Sequence, residues 1–161
     1  MKTATLKELK QEMQYLSVND LADLLVRMAK FKKENKELIT YLLFESSNEN
    51  EYLLGVKRLI DDLFETVNTS SVFFAKKTLR KIIRTANRYI RYSENPASEV
   101  EILIYVCKKM KLLDMDWSSS AVIKNMYMGL VKKIHKSMSV LHEELQYDYR
   151  QDLLNIESLK P

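Results

Sequence analysis

A chain of 161 residues with 46% hydrophobic and 30% charged side chains has ordinary globular composition and is long enough to bury a core. Glycine and proline are represented only by Gly55, Gly129, Pro96 and Pro161, where average usage gives roughly eleven and eight. Strand-rich folds need turn residues at short intervals, so composition excludes them and implies an all-α fold. The net charge of +4 is modest, and the single Cys107 excludes an internal disulfide framework.

In chain order, Thr5-Leu-Lys-Glu8 reads as a capping box opening a short helix through Leu16. Ser17 or Asn19 caps a second helix with Leu21, Leu24, Leu25 and Met28 on one stripe. The polar stretch Lys32–Lys36 is expected to turn the chain before a third helix carrying Leu38, Ile39, Leu42 and Leu43. Ser46–Asn50 reads as a loop. A fourth helix is predicted over about Glu51–Val67, and the capping loop Asn68–Ser71 precedes a fifth over about Val72–Tyr92. Ser93-Glu-Asn-Pro-Ala is the clearest break, because proline suits a first helical turn.

A sixth helix is expected over 97–112, and it contains the apolar run Ile102–Cys107. There the thiol reads as a small core residue. The loop Asp114–Ser120 holds Trp117, which reads as a residue pinning the loop to the core. The last segment, about Ser119–Leu159, lacks proline and has one glycine. Unbroken, it would extend roughly 60 Å. It is expected to bend near Gln146–Arg150, or else to project over 150–161. No linker divides the chain, so residues 1–161 read as a single domain of about seven helices.

Three presumed hairpins follow: 20–31 with 34–45, 51–67 with 72–92, and 97–112 with 119–136. With Leu21-Ala-Asp-Leu-Leu-Val-Arg-Met-Ala-Lys-Phe and Glu37-Leu-Ile-Thr-Tyr-Leu-Leu-Phe as its most repeat-like part, this arrangement resembles the helix-pair stacking of HEAT-like α-α superhelix proteins. That likeness implies a scaffold that binds another macromolecule. The pairs start at irregular intervals, and a true repeat keeps a fixed period, so an irregular helical bundle is the alternative. The chain also resembles uncharacterised bacterial all-helical proteins, which implies no activity.

Catalytic signatures are sparse. Phosphate-binding loops need closely spaced glycines, and here the two glycines lie 74 residues apart. His135 and His142 are seven apart, which on a helix separates them by roughly 10 Å, too far for one metal. No cofactor is expected. Asp61, Asp62 and Glu65 form the densest carboxylate group, and paired carboxylates perform acid–base chemistry when burial separates their pKa values. A solvated or ion-paired face is the plainer reading. No run approaches the roughly 18 apolar residues of a membrane helix, and the N-terminus lacks a signal-like apolar stretch, so a cytoplasmic location is expected.

Charge is unevenly spread. Residues 35–65 hold three Lys/Arg and seven Asp/Glu, whereas residues 66–93 hold Lys76, Lys77, Arg80, Lys81, Arg84, Arg88 and Arg91 with no acid. At 100° per residue these seven fall within an arc of about 140°, opposite Val72, Ala75, Leu79, Ile82, Ile83, Ala86, Tyr89 and Ile90. Four like-charge i, i+4 pairs cost on the order of 1–2 kcal/mol before screening. Something anionic nearby would offset this, and a structural or merely solvated row is the plainer reading. The internal candidates are Glu51, Asp61, Asp62 and Glu65; the external ones are nucleic acid, an acidic protein or an anionic membrane. Phe73 projects on the basic side, either to stack on a base or to lie beneath the Ser46–Asn50 loop.

The sequence therefore supports first a non-catalytic interaction module with a macromolecular, most simply protein, partner. Nucleic-acid binding through Lys76–Arg91 with Phe73 comes second, and an enzyme using Asp61, Asp62 and Glu65 third.

Overall fold

A computed structural model of the protein describes residues 2–115 and 120–158. Trp117 lies outside the described residues. The described chain is all-helical and runs α1 (Leu6–Met13), α2 (Val18–Phe31), α3 (Lys33–Thr40), a π-helical turn (Tyr41–Glu45), α4 (Glu49–Glu65), α5 (Val72–Ser93), α6 (Pro96–Lys111), α7 (Ala121–Met138) and α8 (Glu143–Glu157). No described helix is long and apolar enough to cross a membrane.

The chain divides into two compact units, residues 1–44 and 45–161. In the first, Thr5 and Ser17 form reciprocal capping boxes with Glu8 and Asp20 and so start α1 and α2. Helices α2 and α3 pack together as the expected pair. The stretch Lys32–Lys36, expected to turn the chain, does so at one residue. Lys32 alone is extended, and α3 begins at Lys33. Polarity there marks a solvated helix face rather than a loop: the Asn35 side chain donates back to the Met28 carbonyl at 2.9 Å, and Lys33 pairs with Glu37 one turn on.

The second unit is a helical bundle built around α6. That helix touches α4, α5, α7 and α8, and its buried residues, among them Val100, Ile102, Leu103, Ile104, Val106 and Cys107, face every direction. A helix that is apolar all round is stable only when enclosed. Cys107 is fully buried, and burial pushes its thiol up to about 12, which leaves it an inert core group at neutral pH. The pairs α4–α5 and α6–α7 pack as the sequence implies.

The C-terminal segment bends earlier than expected. Helix α7 ends at Met138 and α8 starts at Glu143, so the break falls at 139–142 and Gln146–Arg150 lies inside α8. The Gln146 amide donates to the Leu141 carbonyl across that break at 2.8 Å. Helix α8 then returns onto α6 and α7, burying Leu153 and Ile156. Its last carbonyls, which have no partner within the helix, are met from outside. Lys111 Nζ donates to the carbonyls of Asn155 and Ser158 at 2.5 and 2.7 Å, and Tyr127 Oη donates to that of Ile156 at 2.7 Å.

Candidate functional site

The basic row is carried by α5, which alternates a core stripe (Ala75, Leu79, Ile82, Ala86, Ile90) with its polar face. Burying that stripe turns the cations outward. Lys77, Arg80, Lys81, Arg84 and Arg91 are exposed, and Lys76 and Arg88 half-buried. The Arg88 guanidinium sits 5.3 Å from the Tyr89 ring centroid. Phe73 is 70% exposed rather than covered by the Ser46–Asn50 loop, and it meets Phe74 edge-on at 5.5 Å.

The expected internal counter-charges do not reach this row. Asp61 points to α6, where it accepts from Lys109 Nζ at 2.6 Å and from Tyr105 Oη at 2.7 Å. Burial alone would raise its carboxyl, but these two donors outweigh that and hold it below its usual value. Lys109 is raised in turn, chiefly by its bond to Asp61. Asp62 and Glu65 are exposed. Among the described residues, no carboxylate makes an ion pair with Lys76, Lys77, Arg80, Lys81, Arg84 or Arg91. Asn48, the cap of α4, takes up Glu51 instead.

Asp61 belongs to a ladder of paired charges joining α4, α6 and α8. Lys57 pairs with Glu101 at 2.5 Å and Lys108 with Asp152 at 2.7 Å. The Tyr149 hydroxyl donates to Glu101, and burial followed by that carboxylate pushes its pKa up to about 12. A small cavity of roughly 240 Å³ opens among Lys57, Glu101, Tyr105, Lys108, Tyr149 and Asp152. Each charge there already has its opposite within hydrogen-bond reach. Such a set ties α4, α6 and α8 together, and its carboxylates are engaged by Lys57, Tyr149 and Lys108. Asp61, Asp62 and Glu65 line neither this cavity nor the groove described next.

A second basic helix escaped the sequence reading. Helix α7 carries Lys124, Lys132, Lys133 and Lys136 and no acid, a signal available from the same charge count that found α5. Both helices pack on α6, and between them lies a groove of roughly 500 Å³. From α5 it is lined by Arg80, Ile83, Arg84 and Asn87, and from α7 by Asn125, Met126, Gly129, Leu130 and Lys133. These are two helical stripes at i, i+3/i+4, i+7 spacing. Lys133 is held by Glu99 at 2.7 Å and by the Asn87 amide oxygen at 2.6 Å. Acid collects elsewhere: α4 holds five acids against two cations, and α8 five against one.

His135 and His142 do not converge. The first bonds Glu157, and the second occupies the cap position of α8. No family model matches the chain, and neither a curated protein nor a solved structure does.

Proposed function

We propose that the second unit is a non-catalytic binding module whose partner is nucleic acid, held through the phosphate backbone by the basic face of α5. The observation that carries this reading is the unneutralised row Lys76, Lys77, Arg80, Lys81, Arg84 and Arg91. A helix accepts the repulsion of the three like-charge i, i+4 pairs among these six, Lys76/Arg80, Lys77/Lys81 and Arg80/Arg84, at a cost of roughly 0.6–1.5 kcal/mol, and an external polyanion removes that cost on binding. From Lys76 to Arg91 the row extends about 22 Å, enough to follow several phosphates. The guanidinium groups suit bidentate phosphate contact. Phe73, exposed one turn before Lys76 and Lys77, offers a stacking surface at one end. A cytoplasmic location fits this role. An acidic protein surface would answer the charges equally well and would also bury Phe73; titration with oligonucleotides separates the two.

Fluorescence anisotropy with labelled single- and double-stranded oligonucleotides at two salt concentrations tests the proposal. Binding at low salt should weaken steeply as salt rises, because each neutralised phosphate releases a counterion. Arg80→Ala and Arg84→Ala should each lower the salt slope by about one and together weaken binding by on the order of tenfold or more. Absence of binding at low salt, or binding indifferent to the double substitution, removes the reading.

A further inference from the structure

Phosphate contact alone needs only a convex row of cations, yet the row borders a groove with a different lining. Its floor is apolar, made by Ile83, Met126 and the buried Leu130. Arg80 and Arg84 stand on one rim. On the other side the exposed Asn125 amide is engaged by no described residue. Asn87 is fixed at both ends, donating to the Ile83 carbonyl at 2.8 Å and accepting from Lys133. Among the described residues, no carboxylate lines the groove. At Gly129 a Cβ would meet no atom within 4 Å, so the wall is open where that side chain would stand.

We infer that the α5–α7 groove seats one unstacked base of a single-stranded nucleic acid, with its flanking phosphates on Arg80 and Arg84. The inference rests on the reading of the α5 row as a nucleic-acid surface and names the form that surface prefers. A free phosphate or an acidic side chain would satisfy the arginines but leave the apolar floor wet. A planar base covers the floor with its face and offers its edge to the Asn125 amide, which both donates and accepts. Single strands present such bases and duplexes do not. A volume of roughly 500 Å³ falls in the range that holds a small organic group.

Gly129 provides a test that spares the cations. Because its position is open and helical, Gly129→Leu should fill the groove and keep the fold, as leucine is the better helix former; a circular-dichroism melt checks this. Binding of a labelled oligothymidylate and of a duplex of equal length to the full chain is then compared. The expected result is that wild type prefers the single strand. Gly129→Leu should weaken single-strand binding by about 3- to 30-fold, the loss of one base face buried against an aliphatic floor, and leave duplex binding within about twofold. Should Gly129→Leu melt below wild type, Asn125→Ala, an exposed change, carries the same comparison. Equal wild-type affinity for both forms, or single-strand binding unmoved by the substitution that folds, overturns the groove inference while the α5 row stands. No binding of either form by wild type at low salt overturns the reading beneath it.

Discussion

Glu94 closes α5 with a left-handed backbone, φ 52°, the only such non-glycine among the described residues. Helices commonly end this way on glycine, because a Cβ in that conformation is strained by about 1 kcal/mol. Glu94→Gly is therefore expected to stabilise the protein by about 0.5–1 kcal/mol, raising the melting temperature by about 1–4 °C. A fall in thermal melting would show that the Glu94 side chain contributes more than its backbone loses. Asp61 makes a pH-dependent prediction. Its folded pKa lies below the ordinary 3.8, so its stabilisation is present above that value and lost as pH falls through the folded one. Lys109 is raised above 10.5, so its share holds below that value and is lost as pH rises through the folded one. Between roughly pH 5 and 9 the pair should contribute a constant amount. Asp61→Asn should flatten the acid limb of melting temperature against pH, and an unchanged limb would mean that the acid sensitivity resides elsewhere. Caps such as Thr5 and Ser17 were legible because each acts within three residues. The partner of Asp61 was not, since Lys109 lies 48 positions away on a helix whose neighbours only packing decides.

Among the elements, α6 has the largest consequence for stability. Leu103 is fully buried, and Leu103→Ala should cost about 2–5 kcal/mol through lost burial and the cavity left behind, measurable by urea unfolding. A cost under about 1 kcal/mol would contradict the enclosure of α6. The boundaries of α4, α5 and α6 stand within about two residues of those read from periodicity. The α7–α8 break was misplaced because neither proline nor glycine marks it, and apolar residues keep a helical rhythm across it. Tertiary contacts end α7 there. Tyr127 and Lys111 meet the carbonyl end of α8, and that docking requires the chain to turn after Met138. Tyr127→Phe, which deletes a buried donor, should cost about 1–2 kcal/mol.

At the scale of the whole molecule, the core belongs to the second unit. Apart from Tyr41, every buried hydrophobic residue among the described ones lies between Tyr52 and Ile156, and residues 45–161 form a compact unit. A chain beginning at Glu45 should keep a cooperative thermal transition and bind oligonucleotides as the full chain does. A non-cooperative melt would assign residues 1–44 a part in the fold of the second unit. Within that unit charge is partitioned, base on α5 and α7 and acid on α4 and α8. A field of one sign along one face speeds encounter with a polyanion and disfavours acidic partners.

By itself the amino-acid sequence determined that this protein is helical, where α4 to α6 begin and end, and that seven cations share one face of α5. Those features rest on caps, periodicity and charge spacing, which are properties of contiguous residues. Only the tertiary structure decided that Asp61 turns to Lys109 and Tyr105 instead of to α5, and that the stripe Asn125–Lys133 of α7 shares a groove with Arg80–Asn87. Both outcomes depend on how α4, α5 and α7 each bury their apolar stripes against α6, and packing between faces distant in sequence is written in no single segment.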